Sequence, residues 1–296
     1  MLDFVIQTKG LIKNYGSVRA LRGVDLQVHR GEIFGFLGPN GAGKTTTIRC
    51  LLDLLRPNGG TASVLGLNPQ KQSQQVRARC GYLPGDLRLE DSLTVEATLH
   101  YLNSLRGGKA DWAYARQLTE RLDLDLKTQA RNLSKGNKQK VGVVQALMHK
   151  PELLLLDEPT SGLDPLIQQE VLRLIQEAKK DGATVFFSSH IISEVEQVAE
   201  RVGIIRQGMV VEVAGTQALI KRALRRARVR FGVPVPPEGL EGLAGVKVLS
   251  ADGATLHLQI EGEMDALIKM LAKFPVAEFE TERPSLEEVF LAYYEK

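Results

Sequence analysis

Cysteine is scarce in this sequence: the 296 residues hold two, Cys50 and Cys80. Two scattered thiols do not make a disulfide framework, and they predict a reduced, cytosolic compartment. No uncharged apolar run approaches the roughly 18 residues that a membrane span requires. The N-terminus lacks a basic start followed by an apolar stretch, so no secretory leader is expected. A charge excess of either sign is also missing. Lys and Arg number 38 against 35 Asp and Glu, a net charge of +3, too small to point to a nucleic acid partner. No repeat or low-complexity tract is present, and the single tryptophan, Trp112, carries no functional reading. If the chain serves a membrane process, another polypeptide must supply the membrane segment. The length suits one large domain and a small one, with a core that needs no staples.

What the sequence does hold is Gly38-Pro39-Asn40-Gly41-Ala42-Gly43-Lys44-Thr45, a complete Gly-x-x-x-x-Gly-Lys-Ser/Thr phosphate loop. Its glycines let backbone N–H groups turn toward phosphate oxygens, Lys44 reaches the β- and γ-phosphates, and the Thr45 hydroxyl can ligate Mg²⁺. The apolar run 32–37 before it reads as a buried parallel strand, and residues 46–55 after it read as a helix. A pyrophosphate would then sit on a helix N-terminus.

Alternation predicts strands over 4–8 and 23–28, and helical spacing predicts helices over 92–105, 111–124 and 138–149. Leu153–Leu156 and 183–188 read as central strands. Between them a helix is expected over 165–180, with Asp164 at the N-cap and Pro165 at the first helical position. Strands alternating with helices mean a parallel α/β sheet. The pattern changes near residue 219. Six basic residues among Lys221–Arg230 read most simply as a solvated helix face, with contact to anionic lipid as a lesser reading. A Pro/Gly-rich stretch follows. Beyond it, strands at 245–249, 254–260 and 276–281 and helices at 264–273 and 285–295 form a small α+β appendage. Ser285 and Glu288 have capping-box spacing.

In such sheets ligands bind beyond the carboxyl ends of the strands. One strand ends in Asp157-Glu158. A carboxylate directly after four leucines needs compensation, and Mg²⁺ beside a triphosphate would supply it. Glu158 is then placed to orient or activate a water. Another strand ends Ser188-Ser189-His190, which puts an imidazole on the same edge. Asp164 reads as a helix cap and as a site residue, and the sequence does not separate the two.

Together these residues resemble the nucleotide-binding subunit of an ABC transporter, over roughly residues 3–215. The discriminating element is Leu133-Ser134-Lys135-Gly136-Asn137, similar to the family signature Leu-Ser-Gly-Gly-Gln, which caps the γ-phosphate held by the opposite subunit. The resemblance implies a P-loop NTPase fold with a parallel sheet core, an antiparallel β subdomain and a helical subdomain. The expected bounds are 1–218 for the ATPase domain (helical subdomain about 86–150), 219–240 for a linker and 241–296 for the appendage.

It also implies that ATP is bound by Gly38–Thr46 with Tyr15 stacking on adenine. Mg²⁺ would be held by Thr45 and, through water, by Asp157. Catalysis would fall to Glu158, His190 and Lys44, and Ser161-Gly162-Leu163-Asp164 would cross the interface between two ATPase subunits. Lys135 and Asn137 depart from the signature. Gly85 stands where the family has a glutamine, and Asp86 is the nearby candidate to replace it at the metal. The segment Arg283–Leu291 resembles the close of type-2 exporter subunits for drugs and antibiotics. The expected partners are a membrane permease and a second ATPase subunit, at the inner face of the cell membrane, with no nucleic acid. An importer subunit, a regulator without turnover and a soluble ABC protein acting on ribosomes or nucleic acid are the rival readings.

Overall fold

The computed structural model describes residues 4–222, 225–235, 243, 245–260, 264–282, 286, 287 and 290. The chain divides into two compact units, Met1–Ala214 and Gly215–Lys296.

The first unit opens with β1 (Phe4–Tyr15), β2 (Val18–His29) and β3 (Ile33–Leu37), followed by α1 (Lys44–Leu51), β4 (Gly59–Val64), α2 (Ser73–Arg79) and β5 (Cys80–Leu83). The helical segment holds α3 (Val95–Leu105), α4 (Trp112–Arg121) and α5 (Lys135–Leu147). Then β6 (Leu153–Asp157), α6 (Pro165–Lys180), β7 (Thr184–Ser189), α7 (Ile192–Val198), β8 (Arg201–Arg206) and β9 (Met209–Gly215) complete it.

Strands β1, β2 and β4 form an antiparallel sheet in the order β2-β1-β4. Strands β1 and β2 are far longer than the alternation suggests, because register shifts such as that between Thr8 and Leu11 break the period of two. The central sheet runs β5-β6-β7-β3-β8-β9, and its β5-β6-β7-β3-β8 part is parallel. Every residue of β3, β6 and β7 is buried, as expected of strands covered on both faces. Strands β8 and β9 join through Gln207-Gly208, both at positive φ (48° and 76°), which matches the right-handed twist of a hairpin.

Several helix ends differ from expectation: α3 starts at Val95 rather than 92 and α4 stops at Arg121 rather than 124, and two further ends have a clear local cause. Helix α1 stops at Leu51, not Leu55. Asp53 takes φ 53°, its N–H bonds Cys50 O, and Leu54 N–H bonds Arg49 O. This is a Schellman stop without glycine, so no residue type announces it. Helix α5 begins at Lys135, one turn before the expected start, because Ser134 caps it by accepting from Asn137 N–H at 3.1 Å. Both cysteines are free and buried. Burial pushes the Cys50 thiol up to about 11 and the Cys80 thiol up to about 12, so neither is a nucleophile at neutral pH.

The second unit holds α8 (Thr216–Arg222), β10 (Arg225–Phe231), β11 (Val246–Asp252), β12 (Thr255–Ile260), α9 (Asp265–Leu271) and β13 (Val276–Glu282). Its antiparallel sheet runs β11-β12-β10-β13. The stretch 219–240, expected as a linker, contains the end of α8 and the whole of β10. Of the basic run, Lys221 and Arg222 close α8 and the residues from Arg225 onward lie in β10, so it is not one helix face. Arg226, Arg228 and Arg230 are exposed and alternate with buried Ala227, Val229 and Phe231, a period of two that a count of charges hides. Arg228 and Arg230 face Glu280 (3.6 Å) and Glu278 (2.9 Å) across β13, which neutralises much of the basic face. Leu267 and Leu271 of α9 join the core on the other face. The expected closing helix and its capping box lie almost entirely outside the described residues.

Candidate nucleotide site

Strands β3, β6 and β7 end together: Leu37 pairs with Ser189 and Asp157 with Ser188. The chain leaving β3 turns at Gly38, whose N–H bonds Ser189 O at 3.3 Å. A Cβ at Gly38 would stand 2.5 Å from Ile205 O, and Gly43, at φ 113°, would place one 2.8 Å from Leu21. Only glycine fits either position. Helix α1 starts immediately after Gly43, so its unpaired first-turn N–H groups face the loop.

Lys44 is buried at 5% exposure. Its Nζ donates to Gly38 O (2.6 Å) and Pro39 O (3.1 Å) and lies 3.5 Å from Glu158 Oε1. Burial holds this ammonium below its ordinary pKa, against the opposing pull of Glu158 and Asp157. A triphosphate brought alongside would offer this poorly solvated cation charged oxygens in place of neutral carbonyls.

Asp157 is 1% exposed. Its Oδ1 accepts from Ser188 Oγ at 2.6 Å, whereas Oδ2 is buried with no hydrogen-bond partner. Glu158 is held through its backbone and one carboxylate oxygen. Its N–H faces Ser188 O (3.1 Å) and Ser188 Oγ (3.2 Å), and its C=O accepts from Ser161 N–H (3.1 Å) and Gln139 Nε2 (2.9 Å). Its Oε1 lies 3.1 Å from His190 Nδ1. The backbone takes φ 51°, a left-handed conformation costing about 1–2 kcal/mol for a residue with a Cβ. The surrounding bonds hold this strain in place, which makes Glu158 a rigidly aimed carboxylate beside a phosphate cradle. His190 keeps 42% of its side chain exposed, so it stands at the mouth of the site.

Gln139 is a site residue that motif reading missed, and Ser188 one that it placed at a strand end without giving it a role. Gln139 carries no signal in the sequence, because its partner is 19 residues away.

The Leu133–Asn137 element forms the start of α5, with its N-terminus capped by Ser134. It packs on the Ser161–Asp164 loop so closely that a Cβ on Gly136 would lie 2.7 Å from Gly162 O. Among the described residues, no hydrogen bond or ion pair joins Leu133–Asn137 to Gly38–Thr46. Tyr15 is 45% exposed and carries Lys13 Nζ over its ring, 5.5 Å from the centroid.

Asp86, expected to stand in at the metal, instead pairs with Arg88 at 3.6 Å and is 75% exposed. The cause is the preceding residue: a Cβ on Gly85 would stand 3.1 Å from Asp157 Oδ2. The loop thus lies flush against Asp157 with no side chain between.

Asp164 Oδ1 accepts from Leu166 and Ile167 N–H, each at 3.1 Å, so the cap is real. We expect Asp164→Asn to retain stability and Asp164→Ala to lose about 1 kcal/mol in urea unfolding. An ATPase deficit in Asp164→Asn, which keeps the cap, would then report a role beyond capping.

A family model described as ABC transporter matches residues 21–161, and one described as the C-terminal domain of DrrA1-3-like ATP-binding proteins matches residues 215–294. Daunorubicin resistance ATP-binding protein DrrA3 of Streptomyces coeruleorubidus is 35% identical over 98% of this chain and 96% of its own length. The chain belongs to the ABC transporter ATP-binding family. Bacitracin transport ATP-binding protein BcrA of Bacillus licheniformis is 39% identical over 75% of this chain and 73% of its own. Among solved structures, an ATP-binding subunit of an ABC transporter, 31% identical, superposes with a TM-score of 0.66 over 73% of this chain and 91% of its own. A cassette solved as a dimer with ADP and Pi, 22% identical, shares the fold at a TM-score of 0.64 over 71% and 98%.

As an ABC ATPase, the chain binds ATP and hydrolyses it in the service of transport. ABC ATP-binding subunits dimerise and work with separate permeases. Among the described residues, no helix is long and apolar enough to cross a membrane.

Proposed function

We propose that this ABC ATPase drives export of a small, drug- or lipid-like molecule through a permease in a separate chain, working at the cytoplasmic face of the cell membrane. The observation that carries the reading is Glu158, set between His190 (3.1 Å) and Lys44 (3.5 Å) beside the phosphate loop. Export, as against import, is supported by the DrrA-like match over 215–294 and by relatives named for daunorubicin resistance and bacitracin transport.

In this reading two copies enclose two ATP molecules. Gly38–Thr46 takes the phosphates of one nucleotide with backbone N–H groups and Lys44, and Tyr15 stacks on its adenine. The second copy caps the γ-phosphate with Leu133–Asn137, where Ser134 and Gly136 match the family pattern and the dipole of α5 faces an anion. Ser161–Asp164 crosses between the copies. Glu158 accepts a proton from water as the water oxygen bonds to the γ-phosphorus, and the bond from that phosphorus to the β–γ bridging oxygen breaks to leave ADP. His190 holds the carboxylate in line. Loss of the γ-phosphate removes the contacts between copies, and their parting drives the permease.

Asp157 Oδ2, buried without a partner, and the Thr45 hydroxyl fit a hard, oxygen-seeking cation, and these residues would hold Mg²⁺. Bound there, it would neutralise phosphate charge. Because Gly85 abuts that free oxygen, Gly85→Ala is expected to raise the Mg²⁺ concentration for half-maximal turnover several-fold without altering the thermal midpoint. An unchanged Mg²⁺ curve would separate Gly85 from the metal.

The reading is tested by tagging the full chain in its host, extracting with detergent and identifying what copurifies. A membrane protein with multiple spans is expected. Recovery with ribosomes or nucleic acid, and no membrane protein, would overturn it.

A further inference from the structure

We infer that Glu194 is a positioning residue that aligns the hydrolytic groups by bracing the two loops that carry them. It lies in the first turn of α7 and is 6% exposed. Its two oxygens accept from two different loops. Oε1 takes Thr160 Oγ1 at 2.5 Å, and Oε2 takes Ser189 Oγ at 2.8 Å. Thr160 is two residues after Glu158 and directly before Ser161–Asp164. Ser189 directly precedes His190, and its carbonyl accepts the Gly38 N–H that opens the phosphate loop. Ser189 Oγ also accepts Ile191 N–H at 2.9 Å, which fixes the backbone on the far side of His190. One carboxylate therefore braces the chain beside Glu158, beside His190 and, through Ser189, beside Gly38.

The energetics argue for a task. Burying a carboxylate is costly, and two hydroxyl donors return only part of that. Val195 and Val198 of α7 are buried beside it, so the carboxylate lies on the core side of the helix. What apolar packing cannot do is fix two loops at hydrogen-bond precision. Small displacements of reacting groups cost heavily, on the order of 10²-fold for 1 Å. The 3.1 Å separation of His190 from Glu158 is the distance this brace sets.

The inference rests on the roles given above to Glu158 and His190, so the experiment includes its own control. Steady-state ATPase is measured for Glu194→Gln, Thr160→Val, their combination and His190→Ala, with a melting curve for each. Glu194→Gln keeps the volume and one acceptor. Its kcat is expected to fall about tenfold with KM for ATP within threefold of wild type, and the melting curve should be little changed. Thr160→Val is expected to fall similarly, and the double variant to lose no more than the worse single one, because both act on the same brace, the amide by turning an N–H donor toward one of the two hydroxyls that now donate to a carboxylate. If His190→Ala is inactive while Glu194→Gln turns over like wild type, or if the two losses multiply, the brace is refuted and the site reading stands. If His190→Ala itself turns over normally, the site reading falls and the brace with it.

Discussion

Glu158→Gln is expected to bind ATP with near wild-type affinity and to hydrolyse it about 10²-fold more slowly or worse, the range for loss of a general base. The side chain keeps its size and its backbone keeps the four contacts to Ser188, Ser161 and Gln139. What disappears is the anionic oxygen beside His190 and Lys44. An amide accepts no proton from water at neutral pH, yet it still fills the site, so ground-state binding survives. Phosphate release measures turnover, and size-exclusion chromatography with ATP and Mg²⁺ measures association. The stalled variant should elute at twice its monomer mass. Near wild-type phosphate release would remove Glu158 from the chemistry. A persistent monomer under stalled turnover would remove the two-copy sandwich.

The second large effect is Lys44→Ala. The lysine is the buried cation of the site, and its Nζ satisfies the carbonyls of Gly38 and Pro39. Truncation removes a charge-assisted bond to phosphate, about 1.5–3 kcal/mol, and leaves those carbonyls and the Glu158 carboxylate unbalanced. Titration calorimetry is expected to show ATP affinity reduced by roughly 10- to 100-fold, with turnover lost. Tight ATP binding by this variant would mean that the phosphates lie elsewhere.

The two substitutions are expected to part binding from chemistry. Lys44 acts on the ground state and the transition state alike, because phosphate charge is present throughout. Glu158 acts only where a proton moves. Both residues were legible for local reasons: Lys44 closes a contiguous glycine-rich pattern and opens α1, while Glu158 directly follows the buried β6, where a charged side chain has few structural uses.

Much of the fold was visible for the same reason. Leu153–Leu156 could only be a covered strand, and Asp164-Pro165 opened a helix that runs to Lys180 as expected. The misreadings have local causes. The bulges of β1 and β2 hide a long strand behind broken alternation. The stop after Leu51 uses Asp53 in a left-handed turn where glycine is usual. Arg226, Arg228 and Arg230 read as a charged face until their alternation with Ala227, Val229 and Phe231 is set against the sheet. Asp86 looked like a metal ligand because it sits next to Gly85, but the tight approach of Gly85 to Asp157 leaves the aspartate outside with Arg88.

The chemistry of this ATPase was written in contiguous residues, because a phosphate cradle needs glycines, a lysine and a hydroxyl within eight positions of one turn. The aim of that chemistry was decided elsewhere. Gln139 meets the Glu158 carbonyl across 19 residues, Ser188 meets Asp157 across 31, and Glu194 meets Thr160 across 34. Such pairs exist only once a parallel sheet has brought separate strand ends to one edge, and local spacing carries no record of which side chains will then face each other.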